Sequence, residues 1–293
     1  MNASLHLLLT LVVCTLTVAP LAAARWPWRS PRTGVALWQL LALTWVLCAV
    51  GGAVAIGLAP FHVDIPTAAE RLLHGGFAEL SVGHIVALGV AVALAAGLLV
   101  AFGAAWVGVL RTRRRHRRML DLVARTDPAA PGAQVLDHPV AVAYCVPGLR
   151  ARVVLSSGTL HALSDAELSA VLAHERTHAR ERHDLVLLPF TALRRLLPGS
   201  RLVARALAAV GLLVEMCADD AACRGSDPAT LRAALRRFGS PPAPDGAIGM
   251  ADTAVRARLQ RLAGMAPLPV AVRVLVLATG LVLVSTPLSF LMV

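Results

Sequence analysis

The chain has 293 residues, of which 57% are hydrophobic, and its mean hydropathy is +0.69. This composition is too apolar for a soluble domain of that length, so it excludes an ordinary soluble enzyme and predicts an integral membrane protein. The formal net charge is +11, but much of it comes from arginines clustered beside apolar stretches, so we do not expect direct nucleic-acid binding.

Four apolar stretches approach the roughly 20 residues that a helix needs to cross a bilayer. They cover residues 5–24, 35–59, 85–110 and 270–293. The first stretch ends in Ala22-Ala23-Ala24, which resembles the cleavage site of a secretory signal peptide. Its amino end carries no basic side chain of the kind that signal peptides have there, so we prefer a retained transmembrane helix.

The placement of arginine predicts the orientation, because short loops that stay in the cytoplasm carry the positive charge. Arginines lie between the first two spans and again, in a cluster, at residues 111–118, whereas residues 61–83 hold three acidic residues against Arg71 alone. Both termini are therefore predicted to lie outside and residues 111–269 to form one cytoplasmic domain. All 28 basic residues are arginine, which is typical of a GC-rich genome and favours a bacterial cytoplasmic membrane.

The cytoplasmic domain is predicted to be α+β. Residues 140–146 and 151–155 are β-prone and are separated by Pro147-Gly148, which predicts a hairpin. The edge of such a hairpin could align a substrate peptide by strand addition, or the hairpin could be purely structural. The sequence leaves both interpretations open.

Residues 174–178, His-Glu-Arg-Thr-His, form an HExxH motif. On a helix, His174 and His178 share one face and can bind the same zinc ion. Such an ion lowers the pKa of its water ligand to roughly 7, and Glu175 would accept the proton as a peptide carbonyl is attacked. The preceding Ser164-Asp165-Ala166-Glu167 is a capping-box pattern that predicts where this helix begins.

Two residues are candidates for the third zinc ligand. Asp184 stands six positions after His178, as in metzincin-type enzymes, but the glycine that turns the chain in those enzymes is replaced by Glu181. We prefer Glu215, because a carboxylate within an apolar helix is costly to bury unless it meets a cation or metal. Asp219, one turn further on, is then expected to accept a hydrogen bond from a ligand histidine.

The rest of this domain is predicted to be mostly helical. Residues 185–197 are apolar but too few to span a bilayer comfortably, so they form core or dip into the membrane surface. Pro198-Gly199-Ser200 ends that helix, and a helix over 201–223 brings Glu215 back to the motif. Residues 238–249 are predicted to be a flexible loop and a candidate for self-cleavage, and residues 252–262 a short helix. His161 and His183 are interpreted as surface or supporting residues.

These residues resemble the BlaR/MecR-type regulatory membrane metallopeptidases. The resemblance rests on Val146-Pro147-Gly148-Leu149-Arg150, on residues 153–163, on residues 171–178, and on Arg182-His183-Asp184 with Glu215 and Asp219. It implies a multi-pass α-helical membrane protein of four transmembrane helices, with an inserted α+β, zincin-like (gluzincin) cytoplasmic peptidase domain. It also implies one Zn²⁺ per chain held by His174, His178 and Glu215, with Glu175 as base and Asp219 supporting the ligands.

The resemblance further implies that the substrate is a cytoplasmic protein, such as a transcriptional repressor in a signalling pathway. The sequence shows no penicillin-binding sensor domain after the last span, so we expect a short form that does not sense β-lactams. HtpX-like membrane peptidases share HExxH and Glu-x-x-x-Asp, and membrane-protein quality control is therefore the first alternative. A non-catalytic metal-binding sensor or scaffold is the second. The oligomeric state is left open.

Overall fold

The computed structural model describes residues 3–148, 151–238 and 248–292. The membrane-type part contains helices α1 (Ala3–Ala23), α2 (Pro31–Gly57), α3 (Ile65–Leu73), α4 (Val82–Val123) and, at the other end of the chain, α11 (Val270–Met292). Between α4 and α11 lie strands β1 (Arg125–Thr126), β2 (Ala133–Leu136), β3 (Ala143–Val146) and β4 (Arg152–Ser156), and helices α5 (Ser157–Ala162), α6 (Asp165–Arg180), α7 (His183–Leu196), α8 (Arg201–Ala222), α9 (Pro228–Phe238) and α10 (Ile248–Leu262).

Within the described residues, four helices are long and apolar enough to cross a membrane, namely α1, α2, α4 and α11. Helices α1, α2 and α11 each coincide with one predicted span to within a few residues. Helix α4 differs in length, because it continues without a break from the apolar stretch through the arginine cluster to Val123. The predicted domain border at residue 110 therefore lies inside a continuous helix. Arginine is a good helix former, and no glycine or proline interrupts residues 109–123.

The four strands form one sheet in the order β1-β2-β4-β3. Strands β3 and β4 pair antiparallel, with Cys145 opposite Val153, which confirms the predicted hairpin, with a shorter first strand than expected. Strand β2 pairs parallel with β4, and β1 lies at one edge. Strand β3 lies at the opposite edge.

Helix α6 packs on one face of this sheet. Val135, Val153 and Leu155 from the strands meet Leu168 and Val171 from the helix in one buried cluster. These helix residues recur at helical spacing on one side of α6, whereas the histidines of the motif lie further along the helix. Packing against the sheet therefore sets the position and the rotation of the helix that carries HExxH.

Helices α7 and α8 form an antiparallel hairpin that packs against the membrane-type helices. Phe190 of α7 and Val210 of α8 share a buried cluster with Trp38 of α2 and Cys14 of α1. Leu188 and Ala192 of α7 pack on α4 in a second cluster. Of the two predictions for residues 185–197, core or membrane surface, the structure supports packing between the apolar helices.

The last part of the domain is more helical than the sequence suggested. The predicted helix over 252–262 is present and begins earlier, at Ile248, and α9 was not predicted. The predicted loop over 238–249 lies largely outside the described residues, as does the suggested self-cleavage segment within it. Helix α10 returns to α8, which brings Arg258 close to Glu215 and Asp219 and Arg261 close to Asp220.

Candidate metal centre and active-site cleft

Helix α6 begins at the predicted capping box. The Ser164 backbone amide donates to Glu167 Oε2 at 2.9 Å, and the Ser164 hydroxyl accepts from the Glu167 amide at 3.4 Å. Both contacts satisfy amides that the first helical turn leaves unpaired. Because the start of the helix is fixed in this way, His174 and His178 lie on the face that turns toward α8.

The structure brings His174, His178 and Glu215 together. Their Nε2 and carboxylate oxygen atoms lie within 4.8 Å of one another. The two Nε2 atoms are 3.1 Å apart, Glu215 Oε2 is 3.4 Å from His174 Nε2, and Glu215 Oε1 is 3.5 Å from His178 Nε2. A tetrahedral zinc ion with bonds of about 2.1 Å separates its ligand atoms by about 3.4 Å. The two histidine nitrogens and the Glu215 carboxylate are therefore separated by about the distance between two zinc ligands, and the set fits zinc.

Asp184, the other candidate for third ligand, is not part of this group. It lies in the first turn of α7 and forms an ion pair with Arg113 on α4. The chain between α6 and α7 turns at Arg182, whose φ of 49° is in the left-handed region. That turn carries Asp184 toward the arginine cluster of α4, so that it lines the same cleft as His174 and His178 without joining their group of donor atoms.

Asp219 lies against the far side of the His174 ring. Its Oδ1 is 3.1 Å from His174 Nδ1, and the Asp219 side chain is completely buried. A carboxylate in this position selects the tautomer that leaves Nε2 free to bind a metal. Asp219 is thus placed to orient His174.

Arg258 is a site residue that no sequence pattern indicated. It comes from α10, is only 9% exposed, and donates to both oxygens of Asp219 at 2.9 and 2.6 Å. Its Nη1 also lies 3.1 Å from Glu215 Oε2. One guanidinium therefore joins Glu215 and Asp219, two of the three acidic residues of α8. In a chain with this many arginines, an arginine on a short amphipathic helix gave no signal that singled it out.

His183 supports the second histidine of the motif. Its Nδ1 lies 2.9 Å from His178 Nδ1, and its Nε2 lies 3.3 Å from Glu181 Oε2. Glu181 in turn accepts from Arg32 at the start of α2 at 2.5 Å. With His178 Nε2 turned to the metal position, His178 Nδ1 donates to His183 and His183 donates to Glu181. His183 is buried, so of the two interpretations given for it the supporting role is the one that fits.

The three proposed ligands and Glu175 line an open cleft of about 740 Å³. Its other walls include Tyr144 and Cys145 of β3 and Val255 of α10. Burial raises the pKa of the Glu175 carboxyl, and the nearby positive charge of His174 opposes that effect. The cleft therefore offers a carboxylate beside the two histidines and an edge strand along one side.

Charges at the centre are closely coupled. Burial lowers the pKa of His174, but its contacts with Asp219 and Glu215 outweigh burial and raise the pKa to about 9. Burial lowers the pKa of His178 to about 4. For Glu215, burial favours a higher pKa, yet His174 and Arg258 hold the pKa well below its usual range. The carboxylates of Asp219 and Glu215 thus favour a positive charge at His174. A proton on the ring or a bound metal ion can supply that charge.

The charges of the complete site would also balance. Glu175, Glu215 and Asp219 supply three negative charges, Arg258 supplies one positive charge, and a divalent metal ion would supply the other two. A buried site with zero net charge avoids most of the cost of an uncompensated charge. The donor atoms, their spacing and the charge balance all fit a single Zn²⁺.

Comparison with protein families gives an independent result. Residues 109–217 match the model of peptidase family M48, which supports a metallopeptidase. The matched segment includes HExxH and Glu215 and ends before Asp219 and Arg258. A search of curated proteins and a search of solved structures each found no match. The match does not separate the BlaR/MecR-type group from the HtpX-like group.

Proposed function

We propose that the protein is a membrane-embedded, zinc-dependent endopeptidase that hydrolyses peptide bonds of a cytoplasmic protein. The observation that carries the proposal is the triangle of donor atoms from His174, His178 and Glu215, with Glu175 beside it in an open cleft. The match of residues 109–217 to peptidase family M48 supports the same chemistry. A purely structural metal site has no need of an open cleft or an adjacent base.

Each residue of the site has a role in this proposal. His174, His178 and Glu215 hold the metal, and Asp219 and His183 orient the two imidazoles from behind. Bound zinc supplies Lewis-acid chemistry by polarising a water molecule and the scissile carbonyl. Glu175 accepts the proton of the attacking water and passes it to the leaving amine. Arg258 holds Asp219 and Glu215 in place through the contacts described above.

The edge strand β3 gives the site a way to hold its substrate. Strand β3 pairs with β4 on one side, and residues Ala143, Tyr144 and Cys145 line the cleft next to Glu175. An extended peptide that adds to the free edge of β3 would run past the metal position with its backbone hydrogen-bonded. This arrangement favours unfolded or extended protein segments as substrates.

The four apolar helices support insertion in a membrane, and the arginine distribution supports a cytoplasmic location for the peptidase domain. We propose a bacterial cytoplasmic membrane, with both termini outside. The resemblance to the BlaR/MecR-type group is the ground for naming a transcriptional repressor as the physiological substrate. Damaged membrane proteins, the substrates implied by the HtpX-like resemblance, are the alternative.

Cleavage of casein by the detergent-purified protein tests the proposed activity. We expect wild-type protein to cleave it, and Glu175→Gln to lose about 100-fold or more of the rate, because the general base is removed. Asp165→Asn is the matched control, since Asp165 is an exposed acidic residue in the first turn of the same helix. Equal rates for wild type and Glu175→Gln would refute an HExxH peptidase, as would an equal loss in the Asp165→Asn control.

A further inference from the structure

Gly211 is an unusual residue for the place that it occupies in α8. It lies in the middle of a helix of 22 residues, where glycine is less favourable than alanine because it loses more conformational freedom on folding. Its φ is not in the left-handed region. Apart from atoms of its own helical turn, a Cβ added at this position would meet no atom within 4 Å. Neither the backbone conformation nor the packing of α8 therefore requires a glycine here.

The open space beside Gly211 belongs to the active-site cleft. Gly211 is one of the residues that line the cleft, and it stands one helical turn before Glu215 on the same face of α8. Leu187 of α7 also lines the cleft, one turn after His183. Leu187 and Gly211 each lie twelve residues from Gly199 in the hairpin turn, so they are at about the same level along the hairpin. The space over Gly211 is thus about one helical turn from the metal position, in the direction of the hairpin turn.

The walls around this space are apolar. Val214 lines the cleft three residues after Gly211, and Leu187 is half-buried against the cluster that α7 and α8 share with α1 and α2. The charged residues that line the cleft are the members of the metal centre and Asp184, whose carboxylate is paired with Arg113. Among the described residues, the lining therefore offers no unpaired charge beside Gly211. An apolar group fits such a space better than a charged one does.

The position of Gly211 suits a side chain of a bound peptide. Helix α6 packs on β3 and also on α8, so the cleft lies between the edge strand and α8. Side chains of an extended peptide alternate between two faces, so a peptide bonded to β3 can direct one side chain toward α8 while its backbone passes the metal position. Any side chain at residue 211 would take up part of the space that this group needs, and glycine leaves it free.

We propose that the space over Gly211, between Leu187 and Val214, is a specificity subsite for a large apolar side chain next to the scissile bond. Leucine, phenylalanine and methionine are the side chains that it accepts, and the substrates are protein segments that carry one of them at the cleavage site. Gly211 sets the size limit of the subsite, and Leu187 and Val214 set its preference for apolar groups. This inference rests on the proposed peptidase activity and names the substrate class of the same site.

The test is digestion of a library of proteome-derived peptides by the detergent-purified, zinc-loaded protein, with the cleavage sites read by mass spectrometry. We expect leucine, phenylalanine and methionine to be enriched at one of the two positions that flank the scissile bond. In Gly211→Leu, which fills the space, the preference at that position should shift to glycine, alanine and serine. For one peptide with phenylalanine there, kcat/KM should fall about tenfold or more, whereas the same peptide with alanine should stay within about threefold of wild type.

Two further variants separate the subsite from a general effect on folding. Gly103→Leu places the same side chain at an exposed glycine of α4, where an added Cβ also has open space, and should keep the wild-type preference because Gly103 does not line the cleft. Gly211→Ala should unfold at the same or a higher temperature than wild type, since alanine favours the helix. It should nevertheless lower kcat/KM for the phenylalanine peptide relative to the alanine peptide, which a merely structural role for Gly211 does not predict.

Cleavage by wild-type protein without a preference at either flanking position would overturn the subsite and leave the peptidase activity standing. An unchanged preference in Gly211→Leu, or an equal change in Gly103→Leu, would overturn it too. If Gly211→Leu does not retain zinc, Gly211→Ala decides the question, and a wild-type ratio of the two peptide rates then contradicts the subsite. No cleavage by zinc-loaded wild-type protein would contradict the proposed function, and the subsite with it.

Discussion

His174 and His178 are each held by a neighbour on the side away from the metal position, but the two neighbours differ in kind. His174 is backed by the Asp219 carboxylate, and His178 by His183, a neutral imidazole that is itself fixed by Glu181. Such contacts select the ring orientation and tautomer that bind a metal. The orientation of both histidines of the motif therefore depends on residues that do not bind the metal themselves.

His183→Phe tests this dependence on the His178 side. The variant keeps a ring of similar size but removes the acceptor for His178 Nδ1, so we expect zinc affinity to fall by about 10-fold to 100-fold. The measurement is zinc competition with a chromophoric chelator at constant pH. His161→Phe, at an exposed position on α5, is the control and should leave the affinity unchanged. Wild-type zinc affinity in His183→Phe would show that this contact is incidental.

The sequence indicated some of these residues and not others, for physical reasons. Glu215 was found because a carboxylate surrounded by Val214, Met216 and other apolar residues needs a cation. Asp219 followed from Glu215 by helical spacing. Arg258 comes from a helix 39 residues further along, and no local pattern relates it to Asp219. Long-range ion pairs of this kind depend on how helices pack, and a single sequence contains no local pattern that indicates this packing.

At the scale of elements, α6 was the most predictable. Its start is set by Ser164 and Glu167, and its apolar face by residues at helical spacing. The β3–β4 hairpin was predictable because its turn is local. Strands β1 and β2 were not, because β2 is short and pairs in parallel with β4, which begins sixteen residues after β2 ends. Pairing over such a separation leaves no turn signal in the sequence.

Ser164→Ala tests how much the capping box contributes to the helix that carries the motif. Removing the hydroxyl that accepts from the Glu167 amide should lower the free energy of unfolding by about 1 kcal/mol. Unfolding of the zinc-loaded protein in mild detergent, followed by circular dichroism, measures this change. Ser169→Ala, at an exposed position in the middle of α6, should change it by less than about 0.5 kcal/mol. Equal effects of the two changes would mean that the cap is not a source of stability.

At the scale of the whole molecule, the site lies where two parts of the chain meet. Helix α6, which packs on the sheet, supplies the two histidines and Glu175, whereas the hairpin that packs among α1, α2 and α4 supplies Glu215. The composition indicated a membrane protein and the motif indicated a metal site. Glu215 comes from the hairpin packed among the membrane-type helices, and only the contacts of α7 and α8 made this evident. The sequence did not indicate it, because residues 185–197 were too short to be assigned as a span.

The proposed orientation predicts which surfaces face the cytoplasm. A cysteine at His74, in the segment between α2 and α4, should react with a membrane-impermeant maleimide on intact cells. A cysteine at Ala129, in the loop between β1 and β2, should react only after the cells are made permeable. Both positions are exposed, and the five natural cysteines are first changed to serine or alanine. The reverse labelling pattern would place the peptidase domain outside.

The most direct test of the central claim is the zinc content of detergent-purified protein, measured by elemental mass spectrometry for wild type, Glu215→Ala and Asp184→Ala. We expect about one zinc per chain in wild type and in Asp184→Ala, and loss of zinc in Glu215→Ala, because three protein ligands are needed to hold a catalytic zinc ion. Zinc kept in Glu215→Ala but lost in Asp184→Ala would move the third ligand to Asp184. Wild-type protein without zinc would contradict the metal centre itself.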